Sequence, residues 1–144
     1  MSSSRVGAEH RRLVADRAHG CCEYCLSQRR FSPDPFAVEH VIPESRQGPT
    51  VPDNLALSCQ GCNGHKFTAI EAPDPLSLKL VPLYHPRLDQ WQDHFRWSED
   101  FLQILGTSAT GRATIVRLRL NRKEVVNLRE LLTKLDKHPP DYDY

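Results

Sequence analysis

The sequence predicts a small α+β protein assembled around bound metal. Three observations carry this. Short apolar runs rich in β-branched residues are interspersed with stretches whose apolar positions recur every three or four residues. Prolines, 11 of them, divide the chain into short elements. Two Cys-x2-Cys pairs, Cys22/Cys25 and Cys59/Cys62, stand 33 residues apart.

Taken in order, residues 1–4 read as frayed. Val6, Leu13, Val14 and Ala18 fit a short helix over residues 5–18, with Gly20 as its stop. Residues 21–30 form a polar knuckle, and Ser32-Pro33-Asp34-Pro35 is a turn. Residues 36–42 read as a strand, 43–53 as a loop with Gly48, Pro49 and Pro52, and 55–58 as a second strand. A helix over 62–71 ends before Pro73. Residues 73–86 hold four prolines and read as a wrapping connector. The runs 94–97 and 101–105 form a β-hairpin across Ser98-Glu99-Asp100. A helix follows Thr110-Gly111 with Ile115 and Leu118 facing inward and Val116 as a further inward position. A second begins at Asn121-Arg122-Lys123-Glu124, a capping-box pattern, and carries Val125, Leu128, Leu132 and Leu135. His138-Pro139-Pro140 stops it, and the Asp-Tyr-Asp-Tyr tail reads as loose. The expected organisation is a core over 1–72 and an extension over 73–144 packed on it.

At 144 residues the chain can bury a core without disulfides. No apolar run approaches the roughly 18 residues of a membrane span, and no apolar stretch follows the N-terminus. The expectation is therefore a cytoplasmic protein with no membrane partner, whose cysteines hold metal and do not cross-link. Two knuckles supply four thiolates to one tetrahedral Zn²⁺, which leaves no open position and makes the site structural. A thioredoxin-like redox context is absent. The fifth cysteine, Cys21, would give a CxxxC spacing, a poorer match to the second knuckle, and reads as a spare thiol.

Between the knuckles lies Val38-Glu39-His40-Val41-Ile42-Pro43, an acid beside a histidine at a strand end. Neighbours on a strand point to opposite faces, so the two side chains diverge unless the strand bends there. Asn54 follows the loop, and Asn63 opens the helix that leaves the second knuckle. The segment from Gly20 to Lys66 resembles the HNH endonuclease family. The residues that carry the resemblance are Cys22-x2-Cys25, Glu39-His40-Val41-Ile42-Pro43-x-Ser45, Gly48, Asn54-Leu55 and Cys59-x2-Cys62-Asn63-x2-Lys66.

The resemblance implies a ββα-metal (His-Me finger) core, braced by the four-cysteine zinc and followed by the C-terminal hairpin and two helices. It implies a metal-dependent endonuclease that hydrolyses DNA phosphodiester bonds. His40 matches the general base that takes a proton from water. Glu39 matches the acidic metal ligand, usually Asp, and Asn63 the third signature position, so this is an HNN variant. Asn54 matches the residue that tethers the loop and orients the base. Lys66 and His65 follow on the helix, as phosphate contacts or as a solvated face; His65 lies about 200° around from Asn63, away from direct ligation. Two oxygen-type ligands suit Mg²⁺ or Mn²⁺, and a histidine ligand would admit Ni²⁺ or Zn²⁺. The alternative is a zinc-stabilised nucleic-acid-binding module without activity, against which all four signature positions stand. His85 and His94 have no partner at metal spacing and read as structural. Trp91, Phe95 and Trp97 read as core for the hairpin.

Net charge is +1 and the pI about 7.7, which excludes a protein that coats DNA by charge alone. The charge is unevenly placed. Residues 1–30 carry net +3 and residues 112–137 net +5, around an acidic middle at −5. The basic flanks can grip phosphates or be simply solvated.

Overall fold

The computed structural model describes residues 6–144; the expected fraying of residues 1–4 and a helix start at Arg5 lie outside them. The protein is mixed helix and sheet, with three small antiparallel hairpins. Helix α1 (Ala8–Arg17) buries Val14 and Ala15, and the chain leaves it through left-handed His19 and Gly20. The first knuckle follows, and an isolated bridge pairs Cys21 with Gln28.

Strand β1 (Ala37–His40) pairs antiparallel with β2 (Leu55–Ser58), in a register that sets Val38 opposite Leu57 and His40 opposite Leu55. Every residue of β2 is buried. Val38, Leu55 and Leu57 pack on Val14 and Ala18 of the α1 segment. Arg17 fastens the same face by donating to the carbonyls of Pro52 and Leu55. The loop between the strands is drawn tight at Gly48. A Cβ there would stand 1.6 Å from the Ile42 carbonyl oxygen, so only glycine permits the approach.

Helix α2 (Gln60–Lys66) starts at Cys59, whose sulfur accepts the Cys62 N–H at 3.5 Å. It begins earlier than the expected 62–71, and it ends earlier because Phe67 adopts a positive φ of 52°. The connector is corrected as well. Residues 73–86 are not structureless: β3 (Glu71–Pro73) and β4 (Leu80–Pro82) form a hairpin whose prolines sit at the strand ends. Its tip is held by buried Asp74, which accepts from the Leu76 and Ser77 N–H groups and the Ser77 hydroxyl. Arg112 grips the same carboxylate with two nitrogens, at 2.9 and 3.0 Å.

The single-turn helix α3 (Trp91–His94) leads into β5 (Phe95–Trp97), which pairs with β6 (Ile104–Gly106), close to the expected hairpin. Helix α4 (Ala109–Leu118) is capped by Ser108, which accepts the Gly111 N–H, and it buries Ala113, Thr114 and Leu118. Val116 is exposed, contrary to expectation, since the stripe facing the core runs through Gly111, Thr114 and Leu118. Helix α5 (Lys123–Lys134) buries Val125 and Leu132, while Leu135 lies beyond its end and is exposed. Asn121 does not cap it. Its amide instead bonds both the N–H and the carbonyl of Ile104.

One apolar cluster runs from Cys22, Tyr24 and Cys25 through Tyr84, Trp91, Phe95 and Ile104 to Leu118, so both halves of the chain contribute to it. Trp91 is buried and donates its indole N–H to the Tyr24 carbonyl. His94 bonds the Ser108 hydroxyl, and His85 accepts the Arg87 N–H, in keeping with structural roles. The tail is not loose. Tyr142 stacks on His19 at 4.2 Å, and the Tyr144 hydroxyl accepts from Trp97 Nε1.

Candidate metal centres

Cys22, Cys25, Cys59 and Cys62 come together, with their sulfurs all within 4.8 Å of one another. Among the described residues no other His, Cys, Asp and Glu side chains cluster this way. Cys25 and Cys59 sulfurs lie 3.7 Å apart. A tetrahedral zinc with bonds of about 2.3 Å sets sulfur–sulfur distances near 3.8 Å, so the four fit that ion. Burial pushes the Cys22 thiol well up, and a cation is what lets such buried sulfurs carry charge. Cys21 stands outside the group, its thiol against the His19 carbonyl.

Arg122 was not foreseen. Its guanidinium donates to the sulfurs of Cys59, at 3.3 Å, and Cys62, at 3.6 Å. Gly61 leaves the room for it: a Cβ there would lie 2.5 Å from Arg122 Nη2. Burial alone would lower the arginine's pKa, but the sulfurs around it raise it. A four-thiolate zinc carries two negative charges, and Arg122 offsets one of them. Sixty residues separate it from Cys62, so no local pattern signals the contact.

The acid–histidine pair diverges as strand alternation requires. Glu39 is 4% exposed. One carboxylate oxygen accepts the Tyr24 hydroxyl, and the other lies 3.5 Å from the Lys66 ammonium. Burial pushes this carboxyl up, while Lys66 and Tyr24 pull it down. His40, also buried, contacts Thr50 Oγ1 through Nε2 at 2.7 Å. Lys66 corrects an expectation. It is 1% exposed, pairs with Glu39 and donates to the Val41 carbonyl at 2.8 Å, so it is not offered to a phosphate in solution. Tyr24, between the two cysteines of the first knuckle, ties that knuckle directly to Glu39.

Asn54 is 5% exposed, and its amide is fully used. Oδ1 accepts the Ile42 N–H at 2.9 Å; Nδ2 donates to the carbonyls of Ile42 at 3.0 Å and Pro49 at 2.9 Å. It thereby pins the end of β1 to the loop that carries Thr50. Asn63 is half-buried on α2, one turn before Lys66 and on the same side of the helix. A carboxylate has about four acceptor positions. Glu39 thus keeps acceptor capacity beyond its two partners. His65 lies elsewhere, in a shallow groove with Gln60, Gly61, Phe36 and Arg122. Burial and the charges of Arg119 and Arg122 lower its pKa.

No helix among the described residues is long and apolar enough to cross a membrane. No curated protein and no solved structure matches the chain. A family model described as HNH endonuclease matches residues 22–68, from the first knuckle to just past α2. That span holds all four cysteines together with Glu39, His40, Asn54, Asn63 and Lys66. Residues 22–68 are therefore similar to an HNH endonuclease domain.

Proposed function

We propose that the protein is a metal-dependent endonuclease that hydrolyses DNA phosphodiester bonds, on a ββα-metal core formed by β1, β2 and α2. The observation that carries the reading is the family match over residues 22–68, which includes Glu39 and His40 at the end of β1. His40 is the general base. Thr50 contacts Nε2 and fixes the ring that takes the proton from the attacking water. An imidazole with an ordinary pKa near 6.5 is suited to this at neutral pH. Asn54 fixes the turn after His40 and the loop bearing Thr50, and so sets the ring's direction.

Glu39 and Asn63 would hold the catalytic ion, Mg²⁺ or Mn²⁺ by donor type. When bound, such an ion supplies charge stabilisation at the scissile phosphate and the leaving 3′ oxygen. Tyr24 orients the Glu39 carboxylate. Lys66 supplies positive charge beside it, which offsets part of the upward push that burial gives this carboxyl. The four-cysteine zinc is structural. It holds Tyr24 and the start of α2, and through them the positions of Glu39 and Asn63. Residues 73–144 act as an extension packed on this core, and the cytoplasm is the expected compartment. Nicking of supercoiled plasmid by the zinc-loaded protein, with Mg²⁺, Mn²⁺ or Ni²⁺ and beside His40→Ala, tests the reading. Nicking by the parent alone supports it; none with any ion overturns it.

A further inference from the structure

Helix α2 ends in a turn that is costly to build. The Ala69 N–H donates to the Lys66 carbonyl at 3.0 Å, closing a four-residue turn with Phe67 at its second position. Phe67 has φ 52° and ψ −118°, the values a type II′ turn demands there. That position favours glycine, and a bulky side chain in it is strained. The ring gains no burial in return, since Phe67 is 73% exposed. Single exposed apolar residues are ordinary. An exposed aromatic held in a glycine conformation, one residue past the Lys66–Glu39 pair, is not, and strain of this kind gathers at functional sites.

Two arginines from distant segments meet at the same turn. Arg46, from the loop after β1, donates Nε to the Thr68 carbonyl at 3.1 Å. Arg117, from α4, donates Nη2 to the Lys66 carbonyl at 3.3 Å. Both side chains are exposed. Each spends one N–H on the turn and keeps the rest of its five donors for solvent or a ligand. The outcome is an exposed aromatic residue whose two neighbouring backbone carbonyls each hold an arginine. Cations that take phosphates beside a ring that takes a base or sugar are the chemistry of nucleic-acid contact.

We propose that Phe67, flanked by Arg46 and Arg117, is the protein's DNA-contact element beside the cleavage site: the ring packs against an unstacked base or a sugar, and the arginines hold the adjacent phosphates. This rests on the nuclease reading. It also gives α4, in the C-terminal half, a part in binding.

The test is anisotropy titration of a fluorescein-labelled DNA duplex with the zinc-loaded full chain, without added divalent ion, over a range of salt, together with plasmid nicking. Phe67→Ala and Phe67→Gly are expected to bind about five- to a hundredfold more weakly at unchanged salt slope, and to nick correspondingly less. Phe67→Trp is expected to retain binding. Arg46→Ala and Arg117→Ala are each expected to flatten the slope of log affinity against log salt by about 1. Phe67→Gly should keep the parent's thermal midpoint, because glycine suits the turn, so loss of binding there is not loss of fold. A parent that binds and nicks while the Ala and Gly variants match it overturns this inference alone. A parent that neither binds nor nicks overturns the nuclease reading, and this inference with it.

Discussion

Replacing Asn54 probes the clamp at the end of β1. Asn54→Ala removes three hydrogen bonds of 2.9 to 3.0 Å and strands the Ile42 N–H and the Ile42 and Pro49 carbonyls. At about 1 kcal/mol net per bond the loss is about 3 kcal/mol, and groups left without partners in a part-buried turn keep it from being less than about 2. For a chain of 144 residues that lowers the thermal midpoint by about 10 °C. Asn54→Asp is the sharper perturbation. It is nearly isosteric and keeps the acceptor for Ile42, but turns a carboxylate oxygen toward two carbonyl oxygens. It should destabilise at least as much as alanine. The assay is urea unfolding of zinc-loaded protein at pH 7, followed by circular dichroism. If Asn54→Asp unfolds at the parent's midpoint, the amide does not face those carbonyls and the clamp is misassigned.

The zinc and the fold offer two further tests. Arg122→Ala should release zinc to a chelator about tenfold or more faster, because contacts to metal ligands are worth 10- to 100-fold in affinity; unchanged release would show that the guanidinium does not support the thiolates. Asp74→Asn reports on acid stability. Arg112 and the Ser77 and Leu76 donors hold the Asp74 carboxyl well below the usual carboxylate range. Its stabilisation is thus present above the unfolded value near 3.9 and is lost as pH falls through the lower folded value. The stability gap between parent and Asp74→Asn should be full at pH 6 and shrink as pH falls below about 4. A gap that stays constant down to pH 2 would mean the charge is not its source.

The parts of the fold legible in the sequence are those governed by local chemistry. Knuckle spacing identified the four cysteines because tetrahedral coordination leaves few alternatives. Gly20 marked the end of α1, and the β-branched run marked β1. Burial patterning failed where partners are remote. Val116 reads as inward by period, yet α4 turns its small residues Gly111, Ala113 and Thr114 to the core. The β3–β4 hairpin was hidden by prolines, which its short edge strands tolerate at their ends.

At the candidate site the same division holds. Asn54 bonds Ile42 and Pro49, partners close to it in sequence. Lys66 reads as a surface cation until β1 supplies a buried carboxylate for it. Arg122 and Arg117 act on the knuckle and on the turn after α2 from fifty or more residues away, so their roles exist only once the chain has folded. Asn121 looked like a helix cap by local pattern, but its amide is taken by the Ile104 backbone on both sides and by the Arg129 guanidinium.

The central claim is that His40 drives hydrolysis in an intact zinc-braced core. Single-turnover cleavage of an end-labelled DNA duplex, by parent and His40→Ala at equal zinc content and equal thermal midpoint, tests it most directly. The account predicts cleavage by the parent with Mg²⁺ or Mn²⁺, nicks that a ligase reseals because the 3′ oxygen leaves as a hydroxyl, and a His40→Ala rate lower by about 100-fold or more. Cleavage at the parent's rate by His40→Ala, or no cleavage by the parent with any divalent ion, would contradict it.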